Sequence, residues 1–458
     1  MEVDFTTDPT GTIIMEMDSL EIENEIDFNI SGTALYDSTG EVLFYSNGTE
    51  VRNKDHVIMQ NGEYLGGGVF SSGGDGSPLV QGVLALPRPG NHPYEYYLFH
   101  EAITTNTNPG WSGVKELLWS TILMNTNGWK GSVIQKNIPV IEDTLDYGQI
   151  TACKHANGQD WWVLIPDNGK GYYRILVTKD SISAPQYQVV SPYHAYDALC
   201  QVVFTPDGSR YIRYNAKQPP DTICEFFIYD FDRCTGLFSN ERKYHLSVEF
   251  GYGGGVAVSP NSRVLYVATA KRIDQFDLEA PDIGASRITV AEFDSTAENC
   301  GGYGKYYFFL GQLAPDGKIY FSVPYTQGDK LHVINYPDSI GLSCNAEVHA
   351  FAIFPTFYLP NHPNYYLGAL PNPCPTVGVS EPLDAGIKVY PNPAGSVVNV
   401  EIEEKGMFVI RDLQGREILR QALTAGKTAI SVGNLPEGVY IWEIFTDNQQ
   451  YYGKLMVE

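Results

Sequence analysis

Positive charge is in short supply. The 458 residues hold 30 Lys and Arg against 54 Asp and Glu, a formal net charge of −24. A field of that sign repels nucleic-acid phosphates and anionic lipid, which excludes a general nucleic-acid binder. No apolar run approaches the roughly 18 residues of a membrane span, so no transmembrane segment is expected. The seven cysteines, Cys153, Cys200, Cys224, Cys234, Cys300, Cys344 and Cys374, include no C-x-x-C pair, and neither a zinc site nor a redox motif is read from them. The opening Met1-Glu2-Val3-Asp4-Phe5 lacks the basic stretch and apolar core of an export signal. H-E-x-x-H, G-x-S-x-G and the P-loop are missing. So are the S-x-D-x-G-x-T-W box and the D-x-D-x-D-G calcium loop. No catalytic residue, cofactor or metal site is therefore assigned.

What is abundant is aromatic and turn-forming: 31 Tyr and 21 Phe, with 45 Gly and 28 Pro. Aromatic strands punctuated by Gly and Pro predict an all-β protein. One pattern recurs: an apolar strand, a turn of Pro, Asn, Asp or Gly, then a strand rich in Tyr, Ile and Val. Its clearest copies carry Pro206-Asp207-Gly208, Pro260-Asn261-Ser262 and Pro315-Asp316-Gly317. Their prolines are 54 and 55 residues apart. Weaker copies lie at 36–40, 89–93, 155–158 and 360–363, which makes seven. A unit of about 40–55 residues with four short strands has the size of a propeller blade. The reading is a seven-bladed β-propeller over residues 1–370, its first blade incomplete. A Pro- and Gly-rich linker at 371–386 follows. Residues 387–458 then give seven short strands with period-two patterning, a small Ig-like β-sandwich. This last part carries 7 basic and 9 acidic residues, so the acidity belongs to the propeller.

The last domain resembles the type A C-terminal sorting domain of bacterial type IX secretion. The resemblance rests on Tyr390-Pro391-Asn392-Pro393, on Asp412-Leu413-Gln414-Gly415-Arg416, on Leu435-Pro436-Glu437-Gly438-Val439-Tyr440 and on Gly453-Lys454-Leu455 near the end. It implies passage across both membranes, with the type IX machinery as partner, and a secreted or cell-surface destination. Residues 36–48 and 83–100 resemble the opening of uncharacterised surface proteins that carry this sorting domain, in which the region before Phe5 holds a signal peptide and a first strand; on that resemblance this chain is truncated or has a misassigned start. The first part resembles TolB-like propellers, whose repeats carry a Ser-Pro-Asp-Gly-Lys turn; Ser259-Pro260-Asn261-Ser262 departs from it by lacking the Gly. Asp-Ser/Thr-apolar triplets, such as 143–145, 180–182 and 338–340, resemble the O-glycosylation motif of the same bacterial group.

Other residues are weighed against plainer roles. Asp207 and Asp316 suit turn capping better than calcium. His100-Glu101, His155, Asp160, His194, Asp197 and His245 are the candidate acid–base groups, with His155 and His245 read as structural. The clusters at 66–68, 73–74 and 253–255 are read as loops or close strand approaches. Trp111, Trp119, Trp129 and one of the adjacent Trp161 and Trp162 could stack sugars. Export predicts at least one disulfide and at least one free, buried thiol, with Cys224–Cys234 as the first pairing. The leading functional reading is a non-enzymatic binding or adhesion module, its ligand a glycan or protein. The alternative is a secreted hydrolase or lyase acting on polysaccharide or peptide from the propeller channel. A purely structural surface-layer component is a third.

Overall fold

In the computed structural model the residues described are 2–7, 13–18, 26, 28–37, 39–66, 76–105, 112–167, 169–190, 201–215, 223–247, 254–293, 307–323, 330–352, 359–371, 374, 387–412, 416–446 and 450–457. They form two units, Met1–Asn372 and Pro373–Glu458. Both are all-β; among the described residues the only helical turns are three short 3₁₀ segments, and no helix is long and apolar enough to cross a membrane.

The first unit opens on a hairpin of β1 (Glu2–Thr7) and β2 (Ile13–Asp18). A three-stranded sheet follows: β3 (Thr33–Tyr36), β4 (Val42–Ser46) and β5 (Val51–Asn53). Five antiparallel four-stranded meanders come next, each in sequence order. The second sheet is β6 (Val83–Pro87), β7 (Glu95–Thr105), β8 (Ser112–Leu123) and β9 (Ser132–Leu145). The third is β10 (Thr151–Lys154), β11 (Trp161–Pro166), β12 (Gly171–Val177) and β13 (Gln186–Val189). The fourth is β14 (Gln201–Phe204), β15 (Arg210–Asn215), β16 (Ile223–Asp232) and β17 (Leu237–Ser247). The fifth is β18 (Gly254–Val258), β19 (Val264–Thr269), β20 (Arg272–Asp277) and β21 (Ile288–Glu292). The sixth is β22 (Gly311–Leu313), β23 (Ile319–Phe321), β24 (Lys330–Ile334) and β25 (Ala346–Ala352).

Six of the seven repeated turns sit where the sequence pattern puts them, between the first two strands of a sheet. In the three clearest, the backbone N–H of Gly208, Ser262 and Gly317 donates to the carbonyl three residues back, at 2.7, 2.9 and 3.0 Å. Proline presets the second position of such a turn. The seventh copy differs. Around Pro360-Asn361-His362-Pro363 the described residues form no strand. Asn361 instead donates to the carbonyls of Val83 and Ile150, and its own N–H to that of Gly32. The side-chain amide and the backbone N–H of one residue thus tie together three segments that no strand pairing joins.

The sheets are wet on few faces. In β11 every side chain is buried, and Trp161 and Trp162 are 0 % and 5 % exposed. Each points into a different core cluster because neighbouring strand residues face opposite ways. Both indoles donate to backbone carbonyls, of Pro87 and Arg233. Neither tryptophan is open to stack a sugar, so that expectation is corrected: sheets on both sides leave β11 no solvent face.

First strands of successive sheets lie side by side, β10 by β14, β14 by β18 and β18 by β22. Gln201 on β14 links three of these strands. Its Oε1 accepts from Val256 and Gly311, and its Nε2 donates to the Gly311 carbonyl. A Cβ on Gly255 would stand 2.3 Å from the Gln201 amide oxygen, so this position takes a glycine to let the strands approach. Ile30, Val80, Phe309 and Leu310 are buried together in one further cluster.

Cys153, Cys224 and Cys344 are free and buried, while Cys234 and Cys374 are disulfide-bonded. Cys200 and Cys300 lie outside the described residues. The Cys224–Cys234 pairing is wrong for a geometric reason. Cys224 is the second residue of β16 and Cys234 lies just past its end. Eight steps of extended strand from Cys224 to the end of β16 put them roughly 25 Å apart, far beyond the ~7 Å a disulfide spans.

The second unit has the seven strands expected: β26 (Lys388–Tyr390), β27 (Val397–Ile402), β28 (Gly406–Arg411), β29 (Glu417–Leu423), β30 (Gly426–Ser431), β31 (Gly438–Phe445) and β32 (Gln450–Val457). They form two sheets, β26-β27-β30 and β29-β28-β31-β32, which fit an Ig-like domain. Between them lie Val398, Val400, Ile402, Phe408, Ile410, Ile430, Tyr440, Trp442 and Leu455. On β28 the inward residues are Phe408 and Ile410; Val409 is buried outside that cluster because strand side chains alternate.

Candidate functional site

In the second unit the predicted motif residues converge. Asn392 is the joint. Its Nδ2 donates to the Lys454 carbonyl at 2.7 Å and its Oδ1 accepts from the Met456 N–H at 2.8 Å. The Ala394 N–H donates to the Met456 carbonyl at 2.7 Å, and Ala394 bridges Val457 in parallel. The flanking Tyr390–Pro391 and Asn392–Pro393 peptides are both cis. An asparagine can satisfy a strand's donor and acceptor at once because its amide carries both. Proline on each side leaves no competing N–H.

The other motif residues complete the same end. Tyr440 is paired with Leu455 and Gly438 with Val457 across β31 and β32. The Tyr440 hydroxyl donates to the Pro436 carbonyl at 2.8 Å, which folds the Leu435–Gly438 turn over the sheet. Leu435 packs on the core and Leu455 is fully within it. Gly453 faces Trp442: a Cβ there would stand 2.4 Å from the indole ring. Lys427 lies 5.2 Å from the Tyr390 ring, whose hydroxyl donates to Glu401. Exposed at this end are Pro391, Asn392, Pro393, Pro436, Val439, Lys454 and Met456. In the middle turn, Asp412 accepts from the Arg416 N–H at 2.9 Å; 413–415 lie outside the described residues.

In the first unit the predicted turn aspartates cap their own loops. Asp207 accepts from the Thr205 hydroxyl and the Ser209 N–H, which holds its carboxyl below the usual range against the opposing effect of burial. Asp316 accepts from the Lys318 N–H and the Tyr320 hydroxyl. Asn261 repeats the Asp207 pattern with Ser259 and Arg263, and Ser262 takes the positive-φ place that Gly208 and Gly317 hold elsewhere. Among the described residues no three His, Cys, Asp or Glu are gathered as metal ligands.

The acid–base candidates do not assemble into one site. His155 is held by its turn and by the Cys234 carbonyl. Asp160 accepts from the Asn157 side-chain amide in that turn, and its own N–H donates to Asn157 Oδ1. His245 is exposed on β17, 3.4 Å from Glu225. His194 and Asp197 lie outside the described residues. His100 and Glu101, neighbours on β7, are both buried. Burial pushes His100 down to about 3 and its Nε2 meets the Ser120 hydroxyl at 3.1 Å. Burial, and then the nearby Asp146, push Glu101 well above the ordinary carboxylate value.

Sequence reasoning missed the partner of this cluster. Arg213 on β15 pairs with Asp146, just past β9, with side chains 0 % and 1 % exposed. Gln149 also donates to Asp146. Burial pushes Asp146 up while Arg213 pulls it back. The residues are 67 positions apart, and no spacing rule connects them. Thr144 and Ser181, the hydroxyls of two glycosylation-like triplets, are exposed.

Residues 388–458 match the family model described as the secretion system C-terminal sorting domain. This type IX sorting tail makes the protein a secreted or cell-surface one that engages the secretion machinery. A search of curated proteins finds no match to the chain. Among solved structures it is similar to a "putative 6-phosphogluconolactonase" from Bacteroides uniformis, at 10 % identity and TM-score 0.40, covering 87 % of this chain and 98 % of that one. It is also similar to a glucose dehydrogenase, at 11 % identity and TM-score 0.37, covering 66 % and 96 %. Likeness at that level carries no argument about activity.

Proposed function

We propose that the chain is a surface-delivered binding protein: a seven-bladed β-propeller over residues 1–370 that acts as a non-enzymatic binding or adhesion module, carried by a sorting domain at 387–458. The observation that carries the proposal is the clamp of Asn392 on Lys454 and Met456, inside a segment matched to the sorting family. The propeller reading is supported by five consecutive four-stranded meanders and by Gln201 spanning three first strands. It is supported further by the return of Asn361 and Tyr365 to the first two sheets. Seven blades require the β1–β2 hairpin to belong to one more sheet. The binding role is favoured over a hydrolase or lyase because Glu101 and Asp146 are shut away from solvent, with Asp146 held by Arg213.

The test has two arms. Expressed behind a signal peptide in a host with type IX secretion, the chain without 387–458 should stay in the periplasm. Grafting 387–458 onto a foreign folded cargo should carry that cargo to the surface. Surface delivery of the deleted form would refute the sorting role. In the second arm, residues 1–370 are screened on a glycan array and a hydrolase panel; turnover would favour the enzyme.

A further inference from the structure

The first unit carries a groove of about 590 Å³ whose lining mixes aromatic, apolar and polar groups. It lies between strands β7 to β9 and the segment 180–185, which joins β12 to β13. Trp119 and Tyr97 form its aromatic wall, edge to face at 5.4 Å. Gln135 and Asp180 stand exposed on its rim. The volume falls within the usual range for small-molecule sites, about 300–1,000 Å³.

The local sequence explains the opening. The β8–β9 ladder shifts register repeatedly between Val114 and Ile122. Asn137 takes a φ of 57° and its N–H goes to the Ser120 hydroxyl instead of the ladder. Pro139, with no N–H to give, sits on this outer strand. Bulges of this kind re-aim side chains, and here Trp119 is half-buried while Trp161 and Trp162 are closed in. The indoles of those two donate to carbonyls. Among the described residues no acceptor meets the Trp119 N–H. Arg88, at the same wall, is engaged by Glu95 and the Lys179 carbonyl, so it offers no loose cation.

We infer that this groove binds a neutral saccharide, an inference that rests on the binding-module reading above. An apolar ring face with an open indole N–H, near an exposed carboxylate that pairs with Lys179 and an exposed amide whose oxygen accepts from the Thr121 hydroxyl, matches the two kinds of surface on a pyranose, its C–H face and its hydroxyl edge. The overall charge of −24 opposes acidic glycans and acidic peptides. The 590 Å³ leaves room for more than one ring.

The full chain is titrated with neutral oligosaccharides built from glucose, mannose, galactose or N-acetylhexosamine, following tryptophan fluorescence and calorimetric heat. Trp119→Ala should weaken binding on the order of ten-fold, and Trp119→Phe by less. Asp180→Ala and Gln135→Ala, both at exposed positions, should each weaken it severalfold and carry the test if Trp119→Ala fails to fold. Absence of binding to every neutral sugar overturns the inference, as does wild-type affinity in the folded Trp119→Ala, Asp180→Ala and Gln135→Ala variants. Neither result touches the sorting reading, which is decided by location. Retained sugar binding in all variants would leave the binding-module reading standing and move the site elsewhere.

Discussion

Arg213 and Asp146 meet at 2.5 Å with both side chains out of solvent, one on β15 of the fourth sheet and the other just past β9 of the second. Glu101 lies close enough to feel the Asp146 charge. Two carboxyls and one guanidinium thus share a dry region. Removing the cation strands the acids, because a buried charge without its partner keeps its desolvation penalty. Arg213→Met should destabilise the first unit by about 3–5 kcal/mol, read from urea unfolding. The double variant Arg213→Met with Asp146→Asn should recover part of that loss. A change below about 1 kcal/mol in the single variant would sink this account.

Glu101 gives a pH test. Its folded pKa is raised, so between about 4.5 and the folded value the native state holds a proton that the unfolded chain has released. On its account, stability is present at low pH and is lost as pH rises through that window. The stability difference between wild type and Glu101→Gln should therefore shift in favour of the variant from pH 5 to pH 8. A difference flat across that range would contradict the raised pKa.

Three histidines act in the opposite direction. Burial lowers His100 and His332 to about 3 and His362 to about 4. Their contribution is full above the unfolded value of 6.5 and falls as pH drops toward those values, by up to about 1.4 kcal/mol per pH unit for each proton. Urea midpoints at pH 7.5 and 4.5 should differ accordingly. His332→Gln should flatten the slope by one proton; an unchanged slope would remove His332 from the explanation.

Thiol chemistry should follow burial. Cys153 is pushed up to about 12 by burial and Cys344 is raised for the same first reason, while Cys224 is buried with them. Iodoacetamide at pH 8 should leave all three unmodified in the native protein and label them after denaturation, as seen by mass spectrometry. Rapid native labelling of any one would show that its core opens.

The sorting domain should be sensitive at two small residues. Asn392→Ala removes two strand contacts and should cost about 1–3 kcal/mol. Gly453→Val drives a branched side chain into Trp442 and should cost more. Limited proteolysis of the full chain should cut 387–458 first in both variants, and surface yield should fall with it. Normal surface yield in a variant whose domain is demonstrably loosened would separate stability from recognition.

Much of this was legible in sequence because it is local. Six turn motifs fix the first hairpin of six sheets, since Pro, Asp and Gly act on their own backbone. The sorting motifs are short and ordered along the chain. What stayed hidden is nonlocal. Nothing in the sequence near Asp146 announces Arg213. The pairing of Trp161 and Trp162 with two different cores depends on sheets that flank β11. Asn361 imitates a repeat turn yet works as a crosslink between backbones, because its side chain and not its neighbours makes the bonds. Trp119 looked no different from the other tryptophans until a bulge turned it outward.

The clamp of Asn392 on the last strand also imposes an order in time. Synthesis makes Asn392 more than sixty residues before its partners Lys454 and Met456. Until those partners emerge, the amide has nothing to close on and the four-stranded sheet of the domain lacks its edge strand β32.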